Sequence, residues 1–333
     1  MSQMIAIIVP VYNSAETLGI CLESVCGQTY KDIKIILVEN GSTDDSYQKC
    51  LEWAGKDERI VVLQSEKGVS AARNKGLEYA ESIGVDYFGF VDSDDYIESA
   101  MYEELHKCAS RTGADMVFCN FYFQTDNVVK EVRISADSAH KLQAGDVSPL
   151  ICTNKNNVMG SVWRILFKMA IHGLAFEEEI GFKEGLIFTV QGCLCAKRIE
   201  TLGKALYHYN APQTGIKKYY GDNIIAEREN YLRTMERVLT TNGRDDLIRI
   251  AKVNELIEML GRFVQHDDYI QAIRQLYSRE IFKKECRGWK SFVLFLEHST
   301  PTFKSKISAC LLYFGLYRLY RTLMKLRARK KNG

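Results

Sequence analysis

The first third of the chain alternates between short unbroken apolar runs and stretches in which apolar residues return every three or four positions. The runs are residues 4–9 (MIAIIV), 33–38 (IKIILV), 60–63 (IVVL) and 87–91 (YFGFV). Continuous β-branched runs without alternation suit strands covered on both faces, as in a parallel sheet. Between the first two, Leu18, Leu22 and Val25 fall on one face of a helix that Ser14 is placed to cap. Gly68-Val69-Ser70 opens another helix, with Val69, Ala72, Gly76, Ala80 and Ile83 on one face. Strands alternating with helices in this way predict βαβ units and a parallel sheet. Pro10 is expected to end the first strand, leaving Val11-Tyr12-Asn13 as the loop beyond it.

The pattern predicts a helix over 100–111, a strand over 115–123, and a polar, irregular stretch over 124–146 containing one alternating segment at 128–134. Apolar helices are predicted over 162–171 and 186–196, separated by an acidic segment, Glu177-Glu178-Glu179 to Glu184. Tyr207-His208-Tyr209-Asn210 reads as a strand-like aromatic run, with His208 packing at a domain edge. From about residue 223 the spacing of Leu247, Ile250, Val253, Ile257 and Leu260 is helical throughout. The expected organisation is an α/β domain over 1–215 and an all-α region over 216–333, with the boundary in the polar stretch 214–221.

In open parallel sheets, ligands sit outside the carboxyl ends of the strands. Three predicted strand ends carry polar loops that could line one cleft: Tyr12-Asn13, Glu39-Asn40, and the cluster Asp92, Asp94 and Asp95. Carboxylates massed at the end of a buried strand are costly unless something neutralises them, and a hard divalent cation shared with phosphates is one answer. A solvated acidic turn in which Asp95 or Ser99 caps the next helix is the other. Arg73 is the obvious cation to join these loops, or else forms a surface salt bridge. No GxGxxG follows the first strand, so the dinucleotide fingerprint is absent.

Composition changes the picture in two places. The ten cysteines include no CxxC pair, so reduced thiols and a cytosolic compartment are expected. No secretory leader and no membrane-spanning stretch are expected either. The net charge of +2 hides nine Lys or Arg and no acid over residues 301–333, leaving the remainder net acidic. Residues 307–326 mix aromatic and aliphatic residues with Arg318, Arg321 and Lys325, which suits a helix lying on an anionic membrane surface or docked on the acidic body. Nucleic acid is not an expected partner, since no recognisable module accompanies the basic residues.

The motifs VPVYN (9–13), ENGSTD (39–44), GVSAARNKG (68–76) and VDSDD (91–95) occur in the order and spacing of family 2 glycosyltransferases. The chain resembles their bacterial members of cell-surface polysaccharide synthesis, closely to about residue 115 and more loosely to about 209. The resemblance implies a GT-A fold: a Rossmann-like, mostly parallel sheet flanked by helices. It implies inverting transfer of a hexosyl or N-acetylhexosaminyl group from a nucleotide-diphosphate sugar, usually a UDP-sugar, to a hydroxyl of a glycan or lipid-linked saccharide, at the inner face of the cell membrane. On that footing Pro10 sets the loop and Tyr12 lies against the base. Asn40 accepts from a pyrimidine N3–H, and Glu39 binds ribose or is structural. Arg73 reaches base or diphosphate, Asp94 and Asp95 take metal (Mn²⁺ or Mg²⁺) and ribose, and Asp92 supports them. His208 is a further candidate for the metal or a phosphate.

The chain departs from the family in two places. An Asp-Asp pair is common where Glu39-Asn40 stands. A Glu-Asp pair with the Asp as base is common where Glu184-Gly185 stands, so Glu184 becomes the expected base, ahead of Glu177 to Glu179, or only complements the helix dipole. Two other classes remain. A sugar nucleotidyltransferase would need a Gly-rich, basic loop after the first strand, where VPVYNSAET stands. A degenerate, non-catalytic nucleotide-binding partner in a polysaccharide assembly complex would account for Gly185.

Overall fold

The computed structural model describes residues 3–125, 128–151, 161–171, 173–211 and 224–263. They belong to two compact units, Met1–Val147 with Val158–Gly221, and Ser148–Asn157 with Asp222–Gly333. The proposed boundary at 214–221 and the basic tail lie outside the described residues.

The first unit is built on β1 (Ile5–Val11), α1 (Leu18–Cys26), β2 (Ile33–Glu39), α2 (Ser46–Ala54), β3 (Ile60–Gln64), α3 (Val69–Ser82) and β4 (Tyr87–Phe90). These four strands pair in parallel in the order β3-β2-β1-β4, as the continuous apolar runs predict. Residues 5–9 of β1 are fully buried, and both faces of the strand are covered. The chain continues through β5 (Tyr96–Ile97), α4 (Met101–Thr112), β6 (Met116–Thr125), β7 (Val128–Val132) and α5 (Ala136–Gln143). After α6 (Ser148–Ile151), which belongs to the second unit, come β8 (Ile165–Lys168), α7 (Glu184–Cys195) and β9 (Ile199–Asn210). The sheet order is β3-β2-β1-β4-β8-β6-β9-β5, with β7 paired to β6. Strand β8 runs antiparallel to both neighbours, and β9 returns parallel to β6.

Several expectations are corrected. Pro10 does not end β1; it pairs with Val38 inside the strand. The ladder to β4 stops at Ile8, so no strand on that side asks proline for an N–H. Ser14 does not cap α1, whose N-cap is Thr17; the Ser14 hydroxyl instead bonds the Tyr12 carbonyl and Ser93. The expected helix over 162–171 is a 3-10 turn, Val162–Arg164, followed by β8. A four-residue strand buried in mid-sheet has no period to distinguish it from a buried helix. The irregular stretch before it holds α5, capped by the Ser135 hydroxyl.

In the second unit, α8 (Ile224–Thr241) and α9 (Ile248–Phe263) fulfil the expected helical spacing. Arg228 and Glu255 form a fully buried ion pair between them.

Candidate active site

β4 ends at Phe90, and the chain turns on itself through Asp92–Asp95, where the Asp95 N–H bonds the Asp92 carbonyl. The turn is held from three sides. Ser14 and Thr17 grip Ser93, at 2.7 and 3.0 Å. The Tyr207 hydroxyl accepts from the Asp92 N–H (3.1 Å) and donates to Asp95 Oδ2 (2.7 Å). The Asn210 N–H donates to Asp95 Oδ1 (2.7 Å), and its side-chain amide donates to the Asp94 carbonyl (2.8 Å). The turn is therefore not a solvated helix cap: Asp95 is 2% exposed, and no side chain caps α4.

Asp92 and Asp95 face different partners. Burial, with the charges of Asp92 and Asp94 beside it, pushes the Asp95 carboxyl up to about 9, although Tyr207 and Asn210 favour its ionised form. A cation beside the turn would offset the like-charge part of this shift. The donors are hard oxygens, and Asp94 is solvent-exposed, so the residues fit a Mg²⁺ or Mn²⁺ shared with a diphosphate. Among the described residues, no three His, Cys, Asp or Glu form a ready-made metal cluster.

Arg73 is not at the surface. It is 5% exposed, donates 2.9 Å bonds to Asp92 Oδ1 and to Glu184 Oε1, and lies over the Phe176 ring. Burial opposes its charge, but Asp92 and Glu184 more than offset this and hold the guanidinium above its usual value. One cation thus joins the acidic turn of β4 to the first residue of α7. Lys183, just before Glu184, has a left-handed backbone (φ 58°), an uncommon conformation for a side chain of this size. Glu184 Oε2 takes no hydrogen bond from a described residue.

On the other side of the cleft, Tyr12 is half-buried, and the Lys67 ammonium sits 5.1 Å from its ring centre. Asn40 is 4% exposed, yet its side-chain amide bonds to nothing among the described residues. Glu39, also 4% exposed, accepts the Ser42 N–H and so closes the β2 loop from within. Asn13 (φ 47°) staples the two loops together: its amide oxygen accepts from the Thr43 N–H at 2.8 Å, and its own N–H donates to Ser42 Oγ at 3.1 Å. Beside the turn, His208 stacks between Tyr96 and Tyr122 and bonds Glu98 at 2.8 Å.

Sequence reasoning placed Asn13 in a loop that could line the cleft without giving it a role, and it gave no site role to Lys67, Asn74, Tyr207 or Asn210. Each contributes through a partner distant in sequence. Asn13 had a local signal, since Asn is the residue most tolerant of a left-handed backbone after glycine.

A curled, mostly parallel sheet with an acidic turn at the end of its fourth strand defines the GT-A class of glycosyltransferase folds. Residues 6–167 match the model of glycosyl transferase family 2, and over that region the chain belongs to this family. The uncharacterized glycosyltransferase EpsJ of Bacillus subtilis (strain 168) is 34% identical over 214 residues, 63% of this chain and 61% of the relative. Glycosyltransferase GlyA of Streptococcus pneumoniae serotype 4 is 33% identical over 230 residues, 65% of this chain and 32% of the relative. The chain thus spans between about a third and three-fifths of these relatives' lengths. Among solved structures, S. aureus TarS 1-349 in complex with UDP-GlcNAc aligns with a TM-score of 0.58 at 17% identity, covering 98% of this chain and 92% of that one. A mannosyltransferase of Pyrobaculum calidifontis, in complex with GDP-Man and Mn²⁺, aligns at 0.51 and 14%, covering 97% and 86%. These likenesses are of fold.

Proposed function

We propose that the chain transfers a sugar, with inversion, from a nucleotide diphosphate, most simply UDP, to a hydroxyl of a glycan or lipid-linked saccharide in cell-surface polysaccharide synthesis. The observation that carries this reading is Arg73, whose two 2.9 Å bonds bring Asp92 and Glu184 to one point at the end of β4. That point lies between a donor side and an acceptor side. On the donor side, Tyr12 supplies an aromatic face, and the unpartnered Asn40 amide supplies both acceptor and donor to a pyrimidine edge. Pro10 and Asn13 fix the loop that carries Tyr12, while Glu39 shapes the floor. Asp94 and Asp95 would hold Mn²⁺ or Mg²⁺, which supplies positive charge against the leaving diphosphate when bound. Glu184 takes the acceptor proton through Oε2 while Arg73 orients Oε1, the arrangement of a base and its orienting group.

The names of relatives point the same way: a poly(ribitol-phosphate) beta-glucosyltransferase of Bacillus spizizenii is 26% identical over 306 residues. TarS has been seen with UDP and with UDP-GlcNAc. The basic tail would bring the enzyme to an anionic membrane surface, near lipid-linked acceptors.

Calorimetric titration of UDP with and without Mn²⁺ tests the donor site. Metal-dependent binding that Asp94→Ala abolishes is the expected result. Failure of UDP with success of another nucleoside diphosphate would move the donor and retain the class. Failure of every nucleotide would overturn the reading. With a donor in hand, Glu184→Gln should keep donor binding and lose transfer. Unchanged transfer in that variant would remove Glu184 as the base.

A further inference from the structure

The segment that leads into Glu184 is tied to α3 at both ends. Arg73 holds the far end at Glu184. The next residue, Asn74, holds the near end. Its amide oxygen accepts the Phe176 N–H at 2.8 Å, and its amide nitrogen donates to the Phe176 carbonyl at 3.0 Å and to Glu178 Oε1 at 3.0 Å. A side-chain amide that bonds both polar groups of one backbone residue mimics a sheet pairing, and it fixes that residue's position and direction together. Phe176 is 3% exposed, stacks on Phe188 of α7 at 4.0 Å, and forms the floor under Arg73 at 5.2 Å. The clamp therefore sets the height of the ring on which Arg73 rests, as well as the start of the segment.

We infer that Asn74 is a positioning residue for the acceptor side of the site: by clamping Phe176 it fixes where Glu184 stands relative to Asp92. The inference rests on Glu184 belonging to the active site, and it deepens that reading. Consecutive positions on a helix diverge by about a hundred degrees, so Arg73 and Asn74 reach different parts of the segment from one rigid support. The Asn74 side chain bonds Phe176 and Glu178 and none of the donor-side groups Tyr12, Asn40 or Asp94, while the Phe176 ring also meets Phe90 at the end of β4, at 5.3 Å.

The test uses Asn74→Ala, which removes the clamp, and Asn74→Asp, which keeps the acceptor for the Phe176 N–H but loses both donors and faces Glu178 with a like charge. Hydrogen–deuterium exchange is read over residues 174–184, with UDP and Mn²⁺ affinity by calorimetry, and transfer from the donor that binding identifies. Both variants should raise exchange in that segment and leave UDP affinity within about twofold. They should lower kcat by about 10²-fold, the scale of an ångström of misplacement, with donor KM little changed. Lys75→Ala, at the exposed position after Asn74 on α3, leaves the Phe176 pairing intact and should retain most of the rate. Unchanged exchange over the segment, or faster exchange with full kcat, would overturn the inference. So would an equal loss of UDP affinity, which would signal general damage to the fold. The exchange readout needs no activity, so failure of the clamp and failure of the transferase reading remain distinguishable.

Discussion

Tyr207 is fully buried, and its one hydroxyl serves both ends of the acidic turn, accepting from Asp92 and donating to Asp95. Trp163 stacks on its ring at 4.2 Å and holds it there. Tyr207→Phe keeps the packing and removes both bonds, leaving a buried N–H without an acceptor and a buried carboxyl with one donor fewer. A loss of about 1–3 kcal/mol is expected, seen as a lower denaturation midpoint, together with weaker Mn²⁺-dependent binding of UDP. An unchanged midpoint would mean that water replaces the hydroxyl and that the turn is held by Ser14, Thr17 and Asn210. Nothing in Tyr207-His208-Tyr209 marks the first tyrosine as this support. The bond spans 112 residues, and an aromatic run at strand spacing reads as packing. The acidic turn itself was legible because its carboxylates are adjacent in sequence and follow a buried strand. Arg73 was legible as the cation to meet it, but its burial and its second partner, Glu184, were not.

At the scale of elements, the position of α3 decides where Arg73 and Asn74 stand. The helix crosses β1 at Gly76, where an added Cβ would collide with the Ile8 side chain. Ile8 is fully buried in the middle of β1 and cannot swing aside into solvent. Gly76→Ala should therefore cost about 1–3 kcal/mol through overpacking, despite alanine's better helix propensity, and should displace α3 from the sheet. Chemical denaturation reads the first effect, and loss of transfer beyond any loss of folded protein reads the second. A stabilised variant would show that α3 can shift without consequence. The four parallel strands β1 to β4 were readable because strands buried on both faces lose all alternation. The same property concealed β8: Ile165–Lys168 is just as apolar, but it is too short and too flanked by apolar neighbours to declare a period. Ser14 misled for a different reason. A serine before an apolar period looks like a cap, and here its hydroxyl is spent on Tyr12 and Ser93, binding the β1 loop to the acidic turn.

At the scale of the whole chain, charge is distributed unevenly: the nine basic residues of 301–333 face no acid within that stretch, while the remainder is net acidic. A cluster of this kind near an anionic bilayer contributes about 1 kcal/mol per basic residue close to the surface, and the contribution decays over a Debye length of about 8 Å at physiological salt. The acidic remainder would be repelled by the same surface, which would orient the chain tail-first. Among the described residues no helix is long and apolar enough to cross a membrane, and surface attachment through the tail can be tested directly. Sedimentation with vesicles of phosphatidylglycerol and phosphatidylcholine should capture the full chain at low salt and release it as salt rises. Deleting 301–333 should abolish capture and leave UDP binding intact, because every residue assigned above to the donor and metal site lies before position 211. Capture that survives the deletion would shift attachment to the body of the protein, where Ile20 (60% exposed) and Leu51 (44%) are the largest outward-facing aliphatic side chains on α1 and α2. Capture that neither salt nor deletion affects would remove electrostatic attachment altogether, and with it the argument that the tail brings this site to a lipid-linked acceptor.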